Sequence, residues 1–238
     1  MRLRDLYPDA TGRTYVLVHG AWVGEFCFDP LIPILEGAGA TVFNVSLRGQ
    51  GKRQSEHKPT IRLSDHIEDV TSVIEENGLT DIHLVGHSYG GKVITGVWDR
   101  MRERVAHAYF LDGFAPVYEG ENVFGPDRLV DQARDASGAV SNEMLIPFPK
   151  AELPVARLTV PMPAGTIGAG YRLNQPLPEE TPKTYVLAGK SDIDQFREDY
   201  FTRIENDPTW EVYVLPSGHN IMQEIPTVLA SILLDAKA

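Results

Sequence analysis

The residues most able to do chemistry in this chain lie in Gly86-His87-Ser88-Tyr89-Gly90-Gly91, where a serine is centred in a Gly-x-Ser-x-Gly spacing. A short apolar run, Ile82-His83-Leu84-Val85, leads into it, and a helix-like run from Lys92 to Arg104 leads out. Strand, tight turn and helix are the setting that holds a serine on a strained backbone with its hydroxyl beyond a sheet edge, where it can attack a carbonyl. A Cβ at position 86 or 90 would crowd such a turn, and Gly91 permits close helix packing. The Tyr89 N–H is then expected to face the same space as the Ser88 hydroxyl.

A serine hydroxyl is a weak nucleophile at neutral pH, so a histidine must accept its proton and a carboxylate must hold that histidine in the right tautomer. The chain has seven histidines. His83 and His107 fall inside strand-like runs, His57 and His66 in a polar loop and a helix start, and His87 is expected to project away from the serine. His19 stands in a turn its ring would brace. His219 alone follows a late strand in a glycine-preceded loop, on the edge of a parallel sheet that also carries Ser88. It is the expected base. For the acid, Asp192 follows the Thr184–Ala188 run and gives the order Ser, Asp, His; Asp194 and Asp112 remain alternatives, Asp112 being followed at once by Gly113 and so readable as a turn former. A metal site built from His19, His219 and an aspartate lacks any clustered ligand spacing. No cofactor or metal is implied.

These side chains need a scaffold, and the chain supplies strand and helix by turns. Thr14–Val18 reads as a buried strand ending in His19-Gly20-Ala21-Trp22, a turn able to aim the Ala21 N–H, or that of Trp22, into a cavity. With the Tyr89 N–H it would form an oxyanion hole. Asp29-Pro30 should start a helix to about Gly37, Thr41–Val45 is the next strand, and Ser64-Asp65 begins a helix to about Glu76, stopped by Asn77-Gly78. His107–Asp112, Thr184–Ala188 and Glu211–Leu215 are further strands, with helices from about Gln195 to Ile204 and from Thr227 to Leu234, the last amphipathic. The alternation predicts an α/β fold: a mostly parallel central sheet with helices on both faces.

Between Val117 and Pro182 the texture changes. Nine of the seventeen prolines fall there, so no sheet strand is expected. Phe124, Met144, Phe148 and Met162 nevertheless make the stretch too apolar for a disordered linker. It reads as a lid of short helices over the active edge, inserted at 117–182 into a core of 1–116 and 183–238. Its Met and Phe side chains, together with Trp22, are the expected lining of an apolar pocket.

Composition bounds the partners. Hydrophobic residues are 42% of the 238 and charged residues 23%, the proportions of a globular domain with a sizeable core. The net charge of −11 disfavours nucleic acid and anionic membranes. Cys27 is the sole cysteine, which excludes an internal disulfide, and it reads as a packed small hydrophobe. The N-terminal stretch lacks an apolar signal region and no run reaches the length of a membrane span, so the expected location is the cytoplasm. The expected partner is a small apolar substrate; oligomeric state is not readable.

Taken together, Val18-His19-Gly20-Ala21-Trp22, Ser46-Leu47-Arg48-Gly49-Gln50-Gly51, the serine turn, Leu111-Asp112-Gly113-Phe114 and Gly218-His219 resemble the serine α/β-hydrolase superfamily. Within it the chain resembles the group of plant methyl-salicylate esterases, hydroxynitrile lyases and their bacterial esterase relatives, over nearly its whole length. The resemblance implies a triad of Ser88, Asp192 and His219 with the Ala21 and Tyr89 N–H groups as oxyanion hole. The lyases typically carry threonine where this chain has Gly20 and lysine where it has Asn220, which favours hydrolysis over cyanohydrin cleavage. Val23 replaces a histidine common in the plant members and Ser46 a frequent aspartate, so a different pocket shape is expected. Three functions compete: hydrolysis of small apolar carboxylic esters or lactones through an acyl-enzyme; carbon–carbon bond hydrolysis, lyase or cofactor-free oxygenase chemistry in the same site; and non-catalytic small-molecule reception.

Overall fold

The structure, a computed structural model, describes residues 7–117, 124, 145–146 and 160–235. Six strands build one sheet: β1 (Thr14–Val18), β2 (Thr41–Val45), β3 (Ile82–His87), β4 (Val105–Leu111), β7 (Lys183–Ala188) and β8 (Glu211–Leu215). Their spatial order is β2-β1-β3-β4-β7-β8 and every pairing is parallel. The chain winds from β1 to β2 on one side and then to β3 on the other. The topological switch therefore lies between β1 and β3, where open α/β sheets gather ligands beyond their strand ends.

Alternate residues of each strand enter opposite cores, as the two-residue period of a strand dictates. Val16, Val18, Leu84, Phe110, Tyr185 and Leu187 share one buried cluster with Ile67 and Val70 of α2 (Leu63–Glu76) and with Val93 and Val97 of α3 (Gly90–Arg100). Tyr15, Leu17, Val85, Tyr109, Leu111 and Val186 share the other with Leu35 of α1 (Ile32–Gly37) and with Leu229 and Leu233 of the C-terminal helix. Helices cover both faces, as expected.

Several boundaries differ from the sequence expectation. Asp29-Pro30 lies in a turn between a 3-10 turn, Glu25–Phe28, and α1, whose N-cap is Leu31. Helix α2 is capped by Arg62, with the Asp65 carboxylate returning to the Arg62 N–H at 2.7 Å. The run expected as a helix from about Gln195 to Ile204 is helical over that span, and what differs is its winding, π-helical at Phe196–Phe201 before α5 (Thr202–Ile204). After α6 (Ile221–Glu224), the last helix, α7 (Pro226–Leu234), buries Leu229, Ala230, Ile232, Leu233 and Leu234 in the cluster that holds α1 and leaves Thr227, Val228 and Ser231 exposed, so it is two-faced in burial although its exposed face carries an apolar Val228.

Of the segment 117–182, the described residues include one short ladder, β5 (Leu145–Ile146) antiparallel to β6 (Met162–Pro163), followed by α4 (Ala164–Ile167). The expectation of no strand in this stretch is thus corrected. A two-residue ladder survives proline because it lies outside the main sheet and Pro163 ends it. Among the described residues no helix is long and apolar enough to cross a membrane.

Candidate active site

Ser88 stands one residue beyond β3 with φ of +54°, the left-handed backbone that a β-carbon makes unfavourable. The surrounding backbone over-determines that conformation. The Ser88 N–H donates to the Leu111 carbonyl at 3.0 Å, and its carbonyl accepts from the N–H groups of Gly91 (3.0 Å) and Phe114 (3.2 Å). Helix α3 starts at once at Gly90, where a Cβ would collide with the Val18 carbonyl, so only glycine lets the elbow sit against the end of β1. The expected strand, turn and helix are all in place.

His219 follows β8, as expected, on the same carboxyl edge. Its Nδ1 lies 2.7 Å from Oδ2 of Asp112. A carboxylate accepts only, so the ring nitrogen facing it carries the proton, and Nε2 is left as the nitrogen able to take one. The aromatic ring of Phe196 stacks on the imidazole at 5.6 Å and 14°.

The carboxylate beside His219 is therefore Asp112, not Asp192. Asp192 is exposed in a turn held by Lys190 N–H to Ser217 carbonyl (2.9 Å) and Ser191 N–H to Ala188 carbonyl (3.1 Å); Asp194 is exposed as well. Two turn residues after β7 carry Asp192 away from the sheet edge. Asp112 directly follows β4, is wholly buried, and has φ of +38°, a bend that swings its carboxylate across to His219. Its second oxygen, Oδ1, accepts the Ala188 N–H at 3.0 Å, fixing the plane of the group. The signal in the sequence was Asp-Gly straight after a buried strand, and it was open to reading as a turn.

The turn after β1 passes against the serine: a Cβ on Gly20 would stand 3.0 Å from the Ser88 Cβ. Ala21 and Trp22, the next residues, are buried, and Trp22 has φ of +60°. His19 braces this turn, as expected. Its Nδ1–H donates to the Gly20 carbonyl at 2.8 Å and its Nε2 accepts the Leu47 N–H at 3.2 Å, while burial holds the ring below its usual pKa and neutral. Tyr89 is also wholly buried. Its hydroxyl donates to His66 Nδ1 at 2.9 Å, and His66 Nε2–H donates to the Arg48 carbonyl at 3.0 Å, so the elbow, α2 and the loop after β2 are joined through one imidazole. Burial pushes His66 down to about 4, consistent with its neutral role.

Of the expected pocket residues, Phe124 and Met162 are buried in the same cluster as Trp22 and Tyr89. Phe124 meets Phe114 edge-on at 6.2 Å. Met144 and Phe148 lie outside the described residues. Missed in the sequence was Lys92, which is buried one turn after the serine with Nζ 2.5 Å from the Ile167 carbonyl and 4.1 Å from the centre of the Phe114 ring. A lysine at an apolar position of a helix was the available signal.

A family profile described as the alpha/beta hydrolase family matches residues 15–232. The chain belongs to that family. Among similar proteins, a carbendazim hydrolyzing esterase of Nocardioides sp. (strain SG-4G) is 32% identical over 243 aligned positions, covering 91% of this chain and 96% of that one. The pFDCC methylesterase MES16 of Arabidopsis thaliana is 24% identical and covers 93% of each chain. An extracellular alpha/beta-hydrolase from a Paenibacillus species superposes with a TM-score of 0.74 at 23% identity, over 94% of this chain and 98% of that one. Matching esterases along nearly its whole length, this alpha/beta hydrolase stands among the carboxylic ester hydrolases.

Proposed function

We propose that the protein cleaves small apolar carboxylic esters or lactones through an acyl-enzyme, with Ser88 as nucleophile, His219 as base and Asp112 as the acid that orients it. The observation that carries this reading is the 2.7 Å contact between His219 Nδ1 and Asp112 Oδ2, on the sheet edge where Ser88 is held at a φ of +54°. His219 Nε2 takes the Ser88 proton as the oxygen attacks the ester carbonyl. The resulting oxyanion is held by the Ala21 and Tyr89 N–H groups, the protonated imidazole gives its proton to the departing alcohol, and water repeats the sequence to release the acid. The apolar cluster that holds Trp22, Phe114, Phe124 and Met162 together with Tyr89 favours an apolar substrate, and the net negative charge disfavours an anionic one.

The test is a panel of p-nitrophenyl esters of graded chain length, run beside labelling with a p-nitrophenyl alkylphosphonate. Turnover on the panel with a one-to-one adduct on Ser88 is expected, and Ser88→Ala should lower turnover by about 10⁶ while leaving the fold intact. An adduct on Tyr89 or Cys27, or turnover retained in Ser88→Ala, removes the acyl-enzyme reading. Labelling of Ser88 with no turnover on any ester or lactone turns the assignment toward carbon–carbon bond chemistry in the same site.

A further inference from the structure

The base must be held in place by more than its acid. Asp112 touches His219 at a ring nitrogen, which sets the tilt of the imidazole but not the depth of the backbone that carries it. The loop at 216–219 is short and lies outside regular structure. The Lys190 N–H holds the Ser217 carbonyl at 2.9 Å and Glu224 accepts the Gly218 N–H at 2.8 Å, while the backbone of His219 itself is reached by His87, the residue immediately before the proposed nucleophile. Its Nε2 lies 2.9 Å from the His219 carbonyl, and the two rings stand 4.4 Å apart, tilted at 42°.

Chemistry fixes the direction of that bond. A carbonyl only accepts, so Nε2 of His87 carries the proton and Nδ1 is a bare acceptor. That Nδ1 is buried with no hydrogen-bond partner among the described residues, in the space left by Gly20, whose absent Cβ would stand 3.0 Å from it. The ring therefore exposes one donor and spends it on the base loop. Burial, and the neighbouring His219, keep His87 far below its usual pKa and uncharged, so it does not oppose the positive charge that His219 gains when it takes a proton. Because His87 ends β3, its position is set by the sheet, and it is covalently joined to Ser88.

We propose that His87 is a positioning residue for the base: its Nε2–H donates to the His219 carbonyl and so fixes the distance from His219 to Ser88. The proposal rests on reading Ser88 and His219 as nucleophile and base. A misplacement of about 1 Å is enough to cost about 10²-fold in rate, so a bond from the residue next to the nucleophile to the residue that must deprotonate it has consequences for kcat.

The test compares His87→Gln with His87→Met, side chains of similar length of which only the first can donate, and adds His87→Phe, which keeps a ring. Thermal melting confirms folding of each. With an ester the wild type turns over, kcat should fall about 10- to 100-fold in His87→Met and His87→Phe with KM within about twofold, and His87→Gln should recover most of the loss. The rate of phosphonate labelling at Ser88 should follow kcat across the series. Equal kcat in the Met, Gln and wild-type proteins, equal loss in Met and Gln, or a loss confined to KM overturns the positioning role. Turnover retained in Ser88→Ala overturns the nucleophile itself and this proposal with it, whereas an inactive Ser88→Ala beside a fully active His87→Met sinks only the role of His87.

Discussion

Gly113 lies against the backbone of Ser88 so closely that a Cβ added to it would stand 2.5 Å from the Ser88 carbonyl oxygen and 2.6 Å from its nitrogen. The residue after the acid thus supports the strained residue at the nucleophile, and the two loops cannot move independently. A methyl group here meets main chain, which has no rotamer to yield with. Gly113→Ala should destabilise the protein by about 1–3 kcal/mol, the usual cost of overpacking, and should lower kcat more than the lost stability accounts for. Thermal melting and steady-state kinetics on the purified variant check both; an unchanged melt would mean that the Asp112 loop can withdraw from Ser88.

The choice of acid gives a sharper comparison. Asp112→Asn keeps one oxygen for the Ala188 N–H and turns an N–H donor toward His219, which favours the wrong imidazole tautomer, a change that costs about 10⁴ in kcat in a serine protease. Asp192→Asn alters an exposed turn and should leave kcat within about twofold, since surface substitutions of this kind have small effects. Measuring both variants on one ester decides the assignment. A larger defect in Asp192→Asn would return the acid to the position after β7.

Much of this arrangement was legible in the sequence, and the part that was not has a physical reason. Glycine spacing around Ser88 and alternating apolar runs specify the elbow and the parallel sheet because both depend on local sterics. His219 was recoverable because it alone combined a late strand with a glycine-preceded loop. Asp112 and Asp192 both follow strands of the same sheet, and which one reaches His219 depends on a left-handed φ at Asp112 and on the turn at 189–191, neither of which leaves a periodic pattern. The bond from His87 to His219 joins residues 132 apart and is invisible to any local reading. Prolines in 117–182 mark an interruption without stating its geometry, and the insertion boundaries remain a sequence expectation.

Acid stability should report the buried histidines. His83 and His107, on neighbouring strands with rings 6.1 Å apart, are held down to about 4 and about 3, chiefly by burial and, for His107, by the neighbouring His83. His66 is held down to about 4 by burial. Each stays neutral in the folded state below the pH at which the unfolded chain charges it, near 6.5. The unfolded state then binds more protons, so the contribution of these rings to stability is complete above about pH 6.5 and is lost as pH falls toward 4, by about 1.4 kcal/mol per pH unit for each histidine. Urea unfolding at pH 7, 6 and 5 should show this decline, reduced in His107→Gln. A stability that stays level from pH 7 to 5 would mean these rings accept protons within the fold.

Lys92 couples the serine turn to α4, the described helix within residues 117–182. It is 1% exposed, and its ammonium donates to the Ile167 carbonyl at 2.5 Å and lies over the rings of Phe114 (4.1 Å) and Phe124 (5.5 Å). Ile167 ends α4, where helical carbonyls run out of partners within their own helix, so a cation there satisfies an acceptor and the field of the helix end together. Lys92→Met keeps the apolar stem and removes the donor, leaving that carbonyl in a dry contact at a cost of about 1–3 kcal/mol. For a domain of this size the melting temperature should fall by about 2–4 °C per kcal/mol. Because α4 packs in the cluster that holds Phe124 and Met162, loosening it should raise KM for apolar esters more than it lowers kcat. Thermal melting with a KM series across ester chain length measures both effects. A Met variant that melts with the wild type and keeps its KM would show that the ammonium carries none of the tie between α3 and α4.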